Sequence, residues 1–277
     1  MIESVREIWS YRALIGELVR RDLKLRYKNS VGGILWSLLN PLMQIFAITV
    51  LLRFIASRPI ANGSAYLFIL FLWNFFATCV LDCCTSILSN APLVRKVYFP
   101  RAILPITTLL ASLFHFGIAF VFTIIYFFAL GTYPQHLHGS FLFVVPAVFF
   151  LSLLALGIGF IVAYLNVFYE DVRFIVTMII QLFIYTLPIF YTVEQVLGKG
   201  NRTLNLYLLN PVATFMVTYQ RALLGPPVVY APDGRTRLSS VGIPWNHLLL
   251  SAAVSVAVLI LGFYCFERHK SEMAERL

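Results

Sequence analysis

Charged residues are scarce in this sequence. Only 12% of its 277 residues are Asp, Glu, Lys or Arg, whereas about 25% is typical of soluble domains. Hydrophobic residues make up 60% of the chain, and the mean hydropathy is +0.85. A soluble chain of this length cannot bury so much apolar side chain. The composition therefore argues against an ordinary soluble protein and predicts that most of the chain lies in lipid.

The sequence also lacks the motifs of common catalytic sites. The P-loop pattern is absent, and the fragment Gly198-Lys199-Gly200 has neither its spacing nor a preceding strand. A Ser nucleophile elbow is missing, and no His, Cys and carboxylate cluster has the spacing of a metal site. A membrane acyl- or glycosyltransferase would need polar catalytic residues on loops, which are not found. We expect no cofactor or metal on this chain, and any ATP and Mg²⁺ on a separate subunit.

The remaining polar features do not form a recognisable site. Four cysteines lie in apolar stretches without metal-ligand or disulfide spacing and are interpreted as small buried side chains: Cys79, Cys83, Cys84 and Cys265. The formal net charge is +9, but Lys and Arg cluster between apolar runs, which suits anionic lipid headgroups better than nucleic acid. Asp82 is the only acidic residue well inside a predicted span. Pairing with a basic residue, snorkelling to the interface and ion coupling all stay open for it.

Six apolar runs are long enough, at roughly 18 residues or more, to cross about 30 Å of hydrocarbon. They cover residues 34–56, 65–88, 103–130, 141–165, 174–191 and 246–266. The fifth is barely long enough and ends at Leu187-Pro188-Ile189, so we expect its outer end to be broken or re-entrant. Ala155, Gly159 and Ala163 recur every four residues on the fourth run, which predicts close helix packing. The expected fold is an all-α polytopic membrane protein with six transmembrane helices.

The distribution of Lys and Arg predicts the orientation of these spans. Basic residues are concentrated before the first run, between the second and third runs, and after the last run. The third connection, residues 131–140, has no Lys or Arg. By the positive-inside rule, both termini are therefore expected in the cytoplasm.

Residues 4–28 have the pattern of an amphipathic helix. One side is apolar and includes Trp9, while the other carries basic residues. Such a helix is expected to lie in the cytoplasmic membrane interface and defines a first unit, residues 1–30, ahead of a transmembrane domain at 31–277. The expected interface residues are Trp9, Arg20, Arg21, Lys24, Arg26 and Tyr27. The alternative is a soluble stub packed on the helix bundle.

Residues 192–225 do not have the pattern of a single span. Apolar residues at 203–224 suggest helix, but Asn210-Pro211 interrupts them, because proline breaks a helix interior. Two short helices dipping into the outer leaflet fit better. Residues 225–244 are rich in Pro and Gly and predict an exposed loop.

The first span carries a mixed stripe that could line a channel. Two rings, one amide and one thioether fall in a narrow sector of the helical wheel: Trp36, Asn40, Met43 and Phe54. Such a stripe combines flat apolar faces with an occasional hydrogen-bonding group. The alternative stays open, because Trp also marks the lipid interface and Phe is common in lipid.

Four segments in order resemble one family of membrane proteins. They are residues 20–44 (Arg-Arg-Asp-Leu-Lys-Leu-Arg-Tyr through Asn-Pro-Leu-Met-Gln), 94–101 (Val-Arg-Lys-Val-Tyr-Phe-Pro-Arg), 165–172 (Leu-Asn-Val-Phe-Tyr-Glu-Asp-Val), and 187–191 (Leu-Pro-Ile-Phe-Tyr) followed by Leu209-Asn210-Pro211. The chain resembles the ABC-2 type permeases that export O-antigen, capsule or teichoic acid chains. It departs from them at Glu170, where a basic residue is expected, and in the long 225–244 loop.

The resemblance implies a partner and a way of working. It implies a homodimer lining a channel, with two copies of a nucleotide-binding ATPase subunit docked underneath through a coupling helix at about residues 91–101. Asn90-Ala91-Pro92 ends the second span, and the stretch after it mixes charge with apolar anchors suited to a protein pocket. The expected coupling residues are Val94, Arg95, Lys96, Val97, Tyr98, Phe99 and Arg101. Binding to lipid headgroups is the alternative for this stretch.

The same resemblance implies a function. The chain is expected to be the permease subunit of an ATP-driven exporter of lipid-linked polysaccharide in a bacterial inner membrane. The short helices near 192–225 would form an outer gate, with Pro188, Tyr191, Asn210 and Pro211 as gate residues. The alternative within the same fold is an ABC-2 exporter of a small drug or lipid.

Overall fold

The structure, a computed structural model, describes residues 2–27, 39, 41–48, 50, 68–129, 140–226 and 239–276. Those residues are helical or irregular, and no strand occurs among them. Most of the predicted first span lies outside the described residues, and so do Trp36, Asn40 and Phe54. Much of the predicted 225–244 loop lies outside them as well. Because the described residues form helices and no strand, the structure supports the all-α class.

The described helices follow one another along the chain with short connections. They are α1 (Ile2–Ser10), α2 (Arg12–Tyr27), α3 (Ile69–Ser89), α4 (Ala91–Lys96), α5 (Ile103–Ala129), α6 (Val144–Phe168), α7 (Val172–Phe183), α8 (Val193–Leu197), α9 (Asn201–Tyr207), α10 (Pro211–Leu224), α11 (Trp245–Arg268) and α12 (Lys270–Arg276). A 3₁₀ turn, Ser140–Phe143, leads into α6, and another, Ile184–Thr186, extends α7. Residues 41–48 are also helical.

Four of the described helices are long and apolar enough to cross a membrane. They are α3, α5, α6 with its preceding 3₁₀ turn, and α11, which correspond to the predicted runs 65–88, 103–130, 141–165 and 246–266. A multi-pass membrane protein is thus confirmed. The predicted fifth run gives a shorter apolar helix, Val172–Thr186.

Helix α3 lies at the centre of the bundle. It packs against α5 and α6, and α6 also packs against α11. The buried side chains of α3 belong to the main core cluster together with those of its neighbours. In lipid, such packing rests on close van der Waals contact and interhelical hydrogen bonds, because the surrounding hydrocarbon is as apolar as the core.

A close contact joins the backbones of α6 and α11. A Cβ built on Gly157 would lie 2.6 Å from the backbone nitrogen of Leu259, and one built on Gly262 would lie 2.9 Å from the carbonyl carbon of Gly157. Only glycine fits at both positions. Gly159, on the predicted small-residue stripe, faces α3 instead, because a Cβ there would lie 2.9 Å from the Cβ of Cys83.

The N-terminal segment forms two helices rather than the single predicted one. The chain turns at Tyr11, between α1 and α2. Leu18 is buried in the core cluster, and α2 packs against α5. Trp9, in contrast, is 71% exposed. The apolar side of α2 thus packs on the bundle, while Trp9 on α1 is exposed.

Three long-range contacts bring both ends of the chain to the same end of the bundle. Ser4 Oγ donates to Glu267 Oε2 at 3.2 Å, and Arg21 Nη2 donates to Asn90 Oδ1 at 2.7 Å. Arg101 Nη1 donates to the backbone carbonyl of Lys270. We call this the basic end, because most described Lys and Arg residues belong to the elements that meet here. Helices α8 to α10 lie at the opposite end, where α11 begins.

We expect Gly262→Ala to destabilise the protein, because its methyl group would meet the α6 backbone, which cannot move aside. Overpacking of this kind costs about 1–3 kcal/mol. The measurement is the thermal unfolding midpoint of the purified protein in detergent. Gly117→Ala on α5 is the matched control, since a Cβ there meets nothing within 4 Å. Equal midpoints for the two variants would contradict a tight α6–α11 contact.

Candidate functional site

The segment after α3 is helical over only part of the predicted range. Helix α4 covers Ala91–Lys96, with a proline in its first turn, and Val97 is extended. Residues 97–100 are not helical. The reason is local: proline at 100 disfavours helical backbone at the residue before it, and Val, Tyr and Phe favour extended backbone. We call residues 91–101 the coupling segment.

The coupling segment presents two faces. Arg95, Lys96, Val97 and Tyr98 are exposed, and the Tyr98 side chain is 84% exposed. Phe99 is only 5% exposed and belongs to the core cluster, and Val94 is half-buried against it. An exposed tyrosine between cations, held by a buried phenylalanine, is a surface suited to a protein pocket.

Arg101 belongs to the inward face. Its guanidinium donates to the carbonyl of Lys270 at the start of α12, and burial lowers the pKa of Arg101 from its ordinary value. Lys270 in turn donates through Nζ to Glu267 Oε2 at 2.9 Å, and this hydrogen bond raises the pKa of Lys270. Both side chains stay charged at neutral pH.

The expected interface residues of α2 differ in their surroundings. Arg20 is exposed and pairs with Glu17 at 2.8 Å, and Lys24 is exposed. Arg21 is half-buried and donates a hydrogen bond to Asn90, the residue between α3 and α4. Arg26 and Tyr27 belong to α2, but their side chains lie outside the described part. Arg21 thus ties α2 to the start of the coupling segment.

Only Met43 of the predicted channel stripe lies within the described residues. Its side chain is 55% exposed. Beside it, Asn74 of α3 donates to Gln44 at 3.3 Å. Helix α7 exposes a broad apolar side with one amide, Gln181, among the hydrophobic residues Phe174, Ile175, Met178, Ile179, Leu182 and Tyr185.

The predicted gate residues sit in a compact turn at the end opposite the basic end. After the 3₁₀ turn, Leu187 and Pro188 are buried and the chain bends toward α8. Tyr191 Oη donates to the carbonyl of Thr186 at 2.8 Å, and its ring contacts that of Tyr207 with centroids 6.0 Å apart. Burial raises the pKa of Tyr207. Thr192 and Gln195 then form a capping box that starts α8.

Asn210 and Pro211 begin a helix rather than interrupting one. Asn210 Oδ1 accepts from the backbone N–H groups of Val212 at 3.1 Å and Ala213 at 3.4 Å. Pro211 occupies the first turn of α10, where its missing N–H costs nothing. Thr214 Oγ1 donates back to the carbonyl of Leu208 at 2.7 Å. The chain therefore reverses between α9 and α10 without unsatisfied backbone groups at these positions.

A buried ion pair holds the same end together. Arg221 Nη2 of α10 lies 2.6 Å from Glu194 Oε1 of α8, and the two side chains are 2% and 0% exposed. Glu194 Oε1 also accepts from the backbone N–H of Val241 at 3.2 Å. One carboxylate thus joins three parts of the chain. Sequence reasoning missed the pair, although each residue is a charge within a largely apolar segment.

Asn166 is a second polar residue that sequence reasoning did not single out. It lies in the 165–172 motif, is 2% exposed, and donates through Nδ2 to the carbonyl of Cys84 on α3 at 3.0 Å. Its place inside an apolar run was the signal in the sequence that could have identified it.

Asp82 is half-buried on α3. Within the described ranges, no three His, Cys, Asp or Glu residues group as metal ligands.

An apolar groove of about 420 Å³ runs between α5 and α6 on the outside of the bundle. It is lined by Leu109, Leu113, Phe116, Phe120, Val144 and Val148, among others. Both helices are long and apolar enough to cross a membrane.

Removing one partner of the buried ion pair should be costly. We expect Arg221→Met to destabilise the protein by about 3–5 kcal/mol, because Glu194 is left charged and buried. The double variant Glu194→Gln with Arg221→Met should recover a large part of that loss, as read from thermal midpoints in one detergent. Lys199→Ala, an exposed cation near α8, is the control. A double variant no better than the single one would argue against charge pairing as the stabilising interaction.

Comparison with known proteins places these features in one family. The family model described as ABC-2 type transporter matches residues 13–224, from α2 to the end of α10. The chain is 29% identical over 279 residues to the O-antigen export system permease protein RfbA of Myxococcus xanthus, covering all of both proteins. It is 27% identical to a protein of the same name from Klebsiella pneumoniae, over 78% of this chain and 82% of that one. A second Klebsiella pneumoniae protein of that name is 26% identical over 95% of each.

The matched region contains the coupling segment, α7 and the buried ion pair. It also contains all four segments on which the resemblance rested. The chain belongs to the ABC-2 type transporter family.

Proposed function

We propose that this protein is the permease subunit of an ATP-driven exporter that moves a lipid-linked polysaccharide of the O-antigen, capsule or teichoic acid type across a bacterial inner membrane. The observation that carries the proposal is the full-length similarity to a protein named as an O-antigen export permease, at 29% identity. The match extends through both ends of the bundle, so it includes the parts expected to contact the ATPase and the polymer.

The basic end faces the cytoplasm in this proposal, with both chain termini on that side. The distribution of charge supports it, since Arg95, Lys96, Arg101, Arg268 and Lys270 belong to this end. Positive residues in short connections remain on the cytoplasmic side of a membrane. Residues 1–30 form the interface unit, with Trp9 at the headgroups, and residues 31–277 form the transmembrane domain.

In this proposal the chain has six spans. Four are the long apolar helices already described, and the other two are the run at 34–56 and the segment around α7, residues 174–191. Six spans agree with both ends of the chain meeting at one end of the bundle, because an even number returns the chain to the side where it began.

The exposed face of the coupling segment docks on a separate nucleotide-binding subunit, which carries ATP and Mg²⁺. The support is its shape and chemistry: Tyr98 is exposed two residues after the cations Arg95 and Lys96, while Phe99 is buried in the core. Buried aromatic anchors flanked by charge contribute most of the energy in many protein interfaces. Headgroup binding would use the cations but not require a projecting tyrosine.

Two copies of the chain jointly line the polymer path. The exposed side of α7 supports this, because Gln181 within a membrane-facing apolar side is better matched by a partner helix or a polar channel than by lipid. Trp36, Asn40, Met43 and Phe54 line the channel from the first span. Their rings would stack on sugars, and the amide would hydrogen-bond them.

The segment from Pro188 to residue 225 forms the outer gate. Its short helices, the Asn210-Pro211 reversal and the Tyr191–Tyr207 contact support a compact element that could cover the channel mouth. Irregular backbone is tolerated at membrane depth only where protein or a water-filled cavity surrounds it.

The function is tested by deleting the gene and following the polymer. Polysaccharide should accumulate in the cytoplasm and disappear from the surface, and the wild-type gene should restore export only together with a functional ATPase subunit. Normal surface polysaccharide combined with lost efflux of a small drug or lipid would favour the alternative ABC-2 exporter instead.

A change at the coupling segment should weaken ATPase binding. We expect Tyr98→Ala to weaken binding by ~30-fold, because an interface hot spot contributes about 2 kcal/mol or more. The measurement is the amount of tagged ATPase subunit that co-purifies with the permease from membranes. Tyr264→Ala, an exposed tyrosine on α11 away from the coupling segment, should retain wild-type levels. Unchanged co-purification for Tyr98→Ala would favour headgroup binding at this segment.

A further inference from the structure

We propose that the C-terminal helix α12 positions the coupling segment for energy transfer, through a polar network of Arg101, the Lys270 carbonyl, Glu267 and Ser4. This inference rests on the proposed docking of an ATPase at residues 91–101, and it assigns Arg101 a role other than docking. Tyr98 meets the partner subunit, whereas Arg101 holds the segment against the rest of the permease.

The first step is the geometry of the coupling segment. Residues 95–98 are exposed and Phe99 is buried, so Tyr98 points away from the bundle while Phe99 points into it. Arg101, two residues on, is half-buried and bonds the Lys270 carbonyl. The contact is exposed, but it joins Arg101 to another part of the same chain rather than to a partner subunit. It fixes the end of the segment at the point where α5 begins.

The second step is the rigidity of the acceptor. Helix α12 is short, but it is seated firmly: Met273 is fully buried in the core cluster, and the guanidinium of Arg276 lies 5.6 Å from the ring centre of Phe168. Just before it, His269 stacks on Tyr164 of α6 with centroids 5.2 Å apart. The Lys270 carbonyl is therefore held in place by α6.

The third step connects this acceptor to the N-terminus. Glu267 Oε2 accepts from Lys270 Nζ at 2.9 Å and from Ser4 Oγ of α1 at 3.2 Å. A single carboxylate thus joins the last turn of α11, the first residue of α12 and the first helix. Hydrogen bonds to a charged acceptor are stronger than neutral ones.

The fourth step is the route that the network offers. Helix α11 packs along α6 and also against α10, which carries Arg221 at the opposite end. A displacement of the coupling segment is therefore transmitted to α10 through the contacts of α12 and α11. It is also transmitted through α5, which follows the coupling segment in the chain. Without the network, the ATPase could still dock and hydrolyse ATP, but less of its movement would reach the transmembrane helices.

The experiment uses the permease in complex with its ATPase subunit. Arg101→Gln should leave ATPase co-purification and ATP hydrolysis within about twofold of wild type, and polymer exported per ATP should fall roughly tenfold, a loss of ~1.4 kcal/mol in coupling. In the Glu267→Gln variant, polymer exported per ATP should fall less. Arg101→Lys should retain more export than Arg101→Gln, because an ammonium can still donate to the carbonyl. Arg268→Gln removes an exposed neighbouring cation and is the matched control.

A second measurement needs no ATPase. Met273→Cys, on a background with Cys265→Ser, should react slowly with a water-soluble maleimide in the parent and several-fold faster once Arg101→Gln is added, because α12 loosens. Unchanged labelling, or unchanged export per ATP, overturns the proposal. Loss of co-purification in Arg101→Gln also overturns it, since Arg101 would then belong to the docking face. A wild-type permease that captures no ATPase rejects the proposed function instead, and the labelling result still decides the role of Arg101.

Discussion

The contact between Gly157 and Gly262 is the constraint on which the rest of the bundle depends. It brings the backbones of α6 and α11 together where no side chain fits. Lipid supplies no hydrophobic drive for helix association, so this closeness has to come from van der Waals contact. With α11 held there, its last turn lies beside the coupling segment and its first half lies beside α10. The geometry of both ends of the molecule therefore depends on this close contact between the two backbones.

Polar groups inside the bundle also hold particular helices together. Asn166 bonds a carbonyl of α3, and the Glu194–Arg221 pair joins α8, α10 and the segment before α11. Each connects elements that are distant in sequence, in surroundings where an unsatisfied polar group destabilises the folded state. The apolar helices set the overall architecture, and these few bonds fix which helix faces meet.

Much of the helix pattern was predictable from the sequence, because long apolar runs have one stable arrangement in lipid. The runs at 103–130, 141–165 and 246–266 match α5, α6 and α11 closely. Asn210-Pro211 was expected to interrupt a helix, whereas α10 begins there, because Asn is a good N-cap and Pro is favoured in the first turn. The turn at Tyr11 was missed, because the apolar periodicity continues through it. The extended backbone at 97–100 was missed in favour of a longer coupling helix.

The contacts between distant residues could not be predicted. Nothing in the sequence indicates that Glu194 meets Arg221, that Arg101 meets the Lys270 carbonyl, or that Gly157 meets Gly262, because periodicity assigns a residue to a face but does not say what that face touches. The coupling residues were therefore predicted as one group, whereas their side chains divide into exposed and anchored sets. The partition of a motif into two faces is information that only tertiary packing provides.

The buried ion pair also bears on how the chain enters the membrane during synthesis. In the proposed orientation, Arg221 crosses the bilayer during insertion, and an arginine at mid-membrane costs about 2.5–3.5 kcal/mol on biological insertion scales. Glu194 precedes Arg221 in the chain, so its carboxylate is already synthesised when the guanidinium arrives. Pairing of the two charges during insertion would lower that cost, so the ion pair connects the stability of the folded end with the way the chain is inserted.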